Sequence, residues 1–154
     1  MKICLISDSH GDIELVNEIA RNNYDCDRFF DCGDSESVEE KNSPFVSVKG
    51  NCDYFTNLDK EKIISIFNKN ILISHYKQSV EYLKNKNISI HFYGHTHIQE
   101  VHEESGIIFI NPGSCSRPRD GLVNPYITII INNENMLIKL HGSKKSYIQK
   151  YLFV

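Results

Sequence analysis

"KICLISDSHGDIELVNEIARNNYDCDRFFDCGD", residues 2–34, is the stretch that decides the fold. The apolar run "KICLIS" (2–7) is too short for a helix and is closed by a polar cluster, so it reads as a buried strand. "DIELVNEIARNN" (12–23) places Ile13, Val16, Ile19 and Ala20 at helical spacing behind Asp12, a residue type that caps helix N-termini. "DRFFDC" (27–32) returns to a strand. Strand, helix, strand in this order predicts a parallel pair joined by a right-handed crossover.

Outward from this unit, "PFVSVK" (44–49) is a third strand, running into "GNCD". "KIISIF" (62–67) and "NILISH" (70–75) flank a short Asn68-Lys69 connection and predict a hairpin. "SVEYLKNK" (79–86) reads as a helix and "ISIHFY" (88–93) as a strand. "IQEVHEE" (98–104) and "GIIFIN" (106–111) pair about Ser105-Gly106, and "YITIII" (126–131) pairs with "MLIKLH" (136–141) about "NNEN". The tail from Ser143 stays open between strand and coil. About ten short strands are too many for one small parallel sheet. The expectation is α/β: two packed mixed β-sheets flanked by helices, in one domain over residues 1–154.

The formal charge of −3 gives no global case for binding nucleic acid, and 40% hydrophobic with 24% charged content is ordinary for a globular protein. The N-terminal apolar run is too short for a signal-peptide core or a membrane span. Five cysteines, odd in number and without CxxC spacing, read as free thiols in a reducing compartment, which makes the cytoplasm the expected location.

Metal-friendly side chains fall just after the strands. Asp8 and His10 follow the first, Asp34 the second, and Asn51 and Asp53 the third; His75 closes the "ILIS" strand, and His95 and His97 follow "ISIHFY". Functional groups collect beyond the carboxyl ends of parallel strands. The i, i+2 spacing of Asp8 and His10 lets both project to one side of an extended segment. Gly33 and Gly50 permit sharp exits and leave room beside the backbone. A carboxylate such as Asp34 has two oxygens and can bridge two cations. Any one of these residues alone would be an ordinary turn former; together they point to a metal site.

Other polar positions carry less. His91 lies inside a strand, packed or exposed, with no ligand role; His102 and His141 are expected to face solvent. Cys4 and Cys32 read as core thiols, "DSESVEE" (34–40) as a solvated face or helix start, and "NPGS" (111–114) as a turn. "RPRD" (117–120) is either a surface loop or a border of the site, with Arg117 or Arg119 as a phosphate clamp.

"DSHG", "GD", "GNCD", the strand-ending His75 and "GHTH", in that order over residues 8–119, resemble the calcineurin-like metallophosphoesterase family. The short chain, the Cys in "GNCD" and the later "NPGS…PR" resemble its small YfcE-type branch. The resemblance implies a dinuclear centre in which all seven ligands take part in catalysis. One ion would sit on Asp8, His10, Asp34 and His97, and the other on Asp34, Asn51, His75 and His95. A bridging water ionised to hydroxide would attack phosphorus in line. Four imidazoles, an amide and carboxylates suit manganese first, then iron, zinc, nickel or cobalt, over magnesium or calcium. Two ions, two carboxylates and one hydroxide leave a single positive charge for an anionic phosphate.

Cys52, Asp53, Tyr76, Arg117 and Arg119 are the candidate substrate contacts. Larger relatives carry a His at the Cys52 position that can protonate the leaving group, and a Gly is common where Tyr76 stands. The function implied is a phosphodiesterase acting on a small phosphate ester, without membrane association and with homo-oligomerisation left open. The alternatives are a phosphomonoesterase or nucleotidase, or a non-catalytic scaffold such as the retromer subunit built on this fold.

Overall fold

The computed structural model describes residues 1–37, 43–142 and 147–153. Among the described residues there are eleven strands and two helices, one strand more than the upper reading of the sequence. The first sheet has the order β11 (Tyr147–Leu152), β10 (Asn135–His141), β9 (Tyr126–Ile131), β1 (Lys2–Ile6), β2 (Arg28–Asp31), β3 (Val46–Ser47). The second has the order β4 (Glu61–Ile66), β5 (Lys69–Ser74), β6 (Ile90–Phe92), β8 (Ile107–Pro112), β7 (Gln99–Glu104). Both are mixed: β1, β2 and β3 run parallel, as do β5, β6 and β8, while hairpins complete each sheet.

Period-two alternation sorts the apolar residues into three layers. Ile3 and Leu5 of β1, Ile71 and Ile73 of β5, and Ile108 and Ile110 of β8 meet between the sheets. Cys4 and Ile6 turn the other way onto α1 (Ile13–Asn22), with Cys26 and Cys115 beside them. Leu72 and Phe109 turn outward onto Leu83 of α2 (Val80–Asn85). The result is an α/β sandwich of two mixed sheets with a helix on each outer face.

Asp12 caps α1 as expected, its Oδ1 accepting from the Leu15 N–H at 3.1 Å. The buried stripe is Leu15 and Ile19, however, and Ile13 is exposed. Spacing alone admits Ile13, which opens the helix at its first position. The third strand keeps only Val46–Ser47, because the chain then leaves toward Gly50. The β4–β5 turn is Phe67-Asn68, both with positive φ (47° and 59°), not Asn68-Lys69. The Ser105-Gly106 turn is as expected, with φ of 54° and 80°.

His102 and His141, expected to face solvent, are half-buried: His102 lies flat on Phe109 and His141 on Tyr126. His91 is fully buried. The reading of "DSESVEE" falls partly on residues 38–40, outside the described residues. No helix among those described is long and apolar enough to cross a membrane.

Candidate metal centre

The carboxyl ends of β1, β2 and β3 in one sheet, and of β5 and β6 in the other, open onto the same place. The loops there are laced together by their backbones. Asp8 N–H donates to Gly33 O (2.9 Å), His10 N–H to Asp34 O (2.9 Å), and Gly94 N–H to His75 O (3.0 Å). Five of the seven candidate donors have left-handed backbones: Asp8, His10, Asp34, His95 and His97, with φ between 45° and 68°. Each such residue costs about 1–3 kcal/mol, and backbones of this kind collect at functional sites.

The approach is close enough to require glycine. A Cβ on Gly94 would lie 2.0 Å from Ser7 Oγ and 2.6 Å from Asp8 Oδ2, and one on Gly50 would lie 2.0 Å from Asp34 Oδ1. Sequence reasoning had singled out Gly50 but not Gly94.

The polar atoms that converge are mostly acceptors. His97 Nδ1 faces Arg117 O at 2.8 Å and His75 Nδ1 faces Cys32 O at 2.8 Å. Both partners are carbonyls, so both Nδ1 atoms carry a proton, and each ring turns its Nε2 inward. His10 Nδ1 faces the Glu36 carboxylate at 2.7 Å, with the same consequence. His10 Nε2 and His97 Nε2 then stand 3.2 Å apart, both aimed at the same point. Asp8 Oδ1 is buried with no hydrogen-bond partner among the described residues, 3.2 Å from His97 Nε2 and 3.9 Å from both His10 Nε2 and His75 Nε2.

On the other side, His75 Nε2 is 3.3 Å from Asp34 Oδ2 and 2.9 Å from Asn51 Oδ1, which also lies 3.0 Å from His95 Nδ1. Contacts this close between acceptors call for positive charge between them, a proton on a ring or a metal ion. Burial opposes a charged His75, but the Asp34 and Asp8 carboxylates outweigh it and raise its pKa. Burial likewise opposes ionisation of Asp34, yet His75 and the Cys52 N–H hold that carboxyl down at about 2.

Among the described residues two tight donor groups emerge, Asp8–His10–His97 and Asp8–Asp34–His75. Asp8 belongs to both, whereas the sequence had cast only Asp34 as shared. A third group, His10–Glu36–Cys52, adds Glu36, which sequence reasoning had left in a solvated acidic run. The donor set fits a metal: oxygens and imidazoles aimed at common points, with their outer nitrogens tied down.

The remaining expected site residues divide. Arg117 and Arg119 line a cavity of about 400 Å³ with His10, Asp34, Asn51, Cys52, His95 and His97. Arg119 N–H donates to His97 O at 2.9 Å, which anchors this loop to the centre. Tyr76 is half-exposed, its ring 4.6 Å from that of His95. Cys52 borders the cavity with its thiol pushed up to about 11 by burial and by Asp34 and Glu36.

Asp53, expected to touch substrate, points inward instead. Its carboxylate accepts from the N–H groups of Asp34 (2.8 Å), Glu36 (2.8 Å) and Gly50 (2.7 Å), so it braces two loops. "NPGS" is more than a turn. Asn111 Nδ2 donates to Gly94 O and Thr96 Oγ1, and Ser114 Oγ donates to Asp8 O, so both hold the donor loops from behind.

With this geometry established, the chain can be set against known proteins. The calcineurin-like phosphoesterase superfamily domain matches residues 1–134. The probable metallophosphoesterase YsnB of Bacillus subtilis is 27% identical over 164 residues, covering 97% of this chain and 95% of that protein. A conserved Streptococcus pneumoniae protein described as a predicted phosphoesterase superposes with a TM-score of 0.86 at 25% identity, covering 99% of this chain and 97% of that one. Zinc-bound Vps29 from Entamoeba histolytica superposes with a TM-score of 0.73 at 20% identity, covering 99% of each chain, a likeness of fold. The chain belongs to the calcineurin-like phosphoesterase superfamily, a metal-dependent family.

Proposed function

We propose that this chain is a phosphodiesterase that works with two divalent transition-metal ions. Asp8, His10, Asp34 and His97 hold one ion; Asn51, His75 and His95 hold the other, with Asp34 shared. The observation that carries this reading is the inward convergence of acceptors around Asp8 Oδ1, unpartnered among the described residues. Imidazole and oxygen donors without a thiolate suit manganese first, then iron, zinc, nickel or cobalt. When bound, the ions supply a nucleophile ionised near neutral pH and offset charge on the phosphoryl oxygens.

The protein's own part is positioning. The carbonyls of Cys32 and Arg117 and the carboxylate of Glu36 hold a proton on three outer ring nitrogens, which leaves the inner nitrogens as the ones that would bind an ion. Arg117 and Arg119 sit at the mouth of the cavity, where their planar forks can grip non-bridging phosphoryl oxygens. The single formal positive charge at the centre matches the monoanion of a diester better than the dianion of a monoester.

The fold by itself does not choose between enzyme and scaffold, since Vps29 shares it; the complete donor set favours the enzyme. Five free cysteines suit a reducing compartment, in keeping with a cytoplasmic protein.

Elemental analysis with turnover tests the whole reading. The wild-type chain should hold two ions, and Asp34→Ala should lose both; a variant that keeps two per chain would remove Asp34 from the shared position. The reconstituted protein should hydrolyse bis(p-nitrophenyl) phosphate faster than p-nitrophenyl phosphate. The reverse order would make it a monoesterase, and a fully loaded chain inert toward every ester would make it a scaffold.

A further inference from the structure

Asn51 lines two hollows. One is the 400 Å³ cavity with Arg117 and Arg119. The other is a larger cleft of about 630 Å³, walled by Lys49, Lys60, Glu61, His75, Tyr76 and Gln78. A diester in position for cleavage carries two substituents and needs a space for each, and a cleft of this size accommodates a nucleotide.

The charge in the larger cleft is one-sided. Glu61 could cancel a lysine, but its carboxylate is taken up by Tyr82 Oη at 2.8 and 3.0 Å and by Lys86 Nζ at 2.5 Å. Asp59, beside Lys60 in sequence, pairs with Lys62. Among the described residues Lys49 Nζ makes one hydrogen bond, to Thr56 O at 3.1 Å, and an ammonium has three donors. Tyr76 closes the side toward the centre. Its ring is fixed edge-on to His75 at 5.3 Å and tilted against His95 at 4.6 Å, and half of its surface remains open. An aromatic wall in a cleft that two lysines also line is complementary to a base that carries its own phosphate.

Resting on the diesterase reading, the geometry points to a subsite in this cleft for a phosphorylated nucleotide, one of the two substituents of the ester. The ring stacks on Tyr76 and the second phosphate lies against Lys49 and Lys60. The substrate class is then a small nucleotide diester with a terminal phosphate, such as a 5′-phosphorylated dinucleotide.

The test compares kcat/KM of the manganese-loaded full chain for a thymidine dinucleotide with and without a 5′-phosphate. The phosphorylated form should be preferred by about tenfold, the factor that one or two charge-assisted hydrogen bonds supply. In Lys60→Ala and Lys49→Ala the preference should collapse, and in Lys60→Arg it should return, which a general loss of structure would not produce. Equal rates for the two dinucleotides in the wild type would overturn the subsite, as would a preference untouched by both alanine variants. Bis(p-nitrophenyl) phosphate, run alongside, separates the failures. If it is cleaved and the dinucleotides are not distinguished, only the subsite falls; if it is not cleaved, the diesterase reading falls and takes the subsite with it.

Discussion

Glu36 Oε1 lies 2.7 Å from Nδ1 of His10, although 26 residues separate the two in the chain. The carboxylate is brought there by a left-handed backbone (φ 50°) and by Asp53, which accepts the Glu36 N–H. It holds the proton of His10 on the outer nitrogen and makes the inner one a better donor. Outer partners of this kind are worth about 10–100-fold in metal affinity. Glu36→Ala should therefore weaken metal binding by about that factor while the chain stays folded, and Glu36→Gln should lose less. Calorimetric titration of the metal-free protein reads this directly. Unchanged affinity in both variants would make Glu36 a bystander.

His91→Gln should leave metal content unchanged and alter the pH dependence of stability. In the folded chain His91 accepts the Gln78 N–H on Nε2 (3.1 Å) and faces Leu72 O with Nδ1, an arrangement that satisfies the neutral ring. Burial, helped by Lys77 and opposed by the Leu72 and Tyr76 backbone and by Glu61, pushes its pKa down to about 4. The unfolded chain takes up this proton near pH 6.5, so the contribution of His91 is whole above that value. It is lost as pH falls from about 6.5 toward 4, to a depth on the order of 3 kcal/mol. Urea midpoints at pH 7 and pH 4.5 should differ more in the wild type than in the variant. Equal differences would mean that His91 does not titrate in this window.

How much of this was legible depends on what kind of force fixes each feature. Strand ends were readable because apolar runs such as "KICLIS" stop abruptly at polar residues, and the donors are those residues. Glu36 was hidden by its setting, since an acidic residue in an acidic run looks solvated and only the β1 and β2 loops in register place it against His10. Gly94 was hidden because its need is a clearance to Ser7 and Asp8, some 87 residues upstream in the case of Ser7. Asp53 looked like a site residue by proximity, but three N–H groups claim it, and no spacing rule reports where an N–H points. His102 and His141 were misjudged because a hairpin face that looks outward in sequence is partly covered by stacked rings.

Arg117→Ala and Arg119→Ala should each raise KM more than they lower metal content. Both residues line the cavity with His10 and His97, and a guanidinium, always protonated, has no lone pair to give a metal ion. Removing a guanidinium that grips a phosphoryl oxygen costs about 1.5–3 kcal/mol, or roughly tenfold to a hundredfold in kcat/KM. Steady-state kinetics at fixed metal loading checks this. Because His97 Nδ1 bonds to the Arg117 backbone rather than its side chain, that bond should survive the substitution. Unchanged kinetics in both variants would return the loop to the surface role its sequence also allowed.

The choice of leaving group provides the sharpest separation between this chain and relatives with a His after the "GN" Asn. The leaving oxygen of a phosphate ester gathers charge as its bond to phosphorus breaks, and a positioned acid relieves it. Around the centre, His10, His95 and His97 are the proposed metal ligands, and an arginine keeps its protons at neutral pH. Cys52 stands where the acid would be, and a thiol, with an ordinary pKa of about 8.5, is a poor proton donor to the transition state near pH 7. Rates should then fall steeply as the leaving group becomes more basic, with aryl diesters cleaved much faster than alkyl ones. Cys52→His should flatten that slope when the two proteins are compared at equal metal loading; the backbone N–H that Cys52 gives to Asp34 survives the substitution, while the thiol's contact with Asn51 Nδ2 is lost. The measurement is kcat/KM across a series of substituted aryl diesters for both proteins. A flat wild-type series, with chemistry shown to be rate-limiting, would mean that another group already delivers the proton and that Cys52 has replaced nothing.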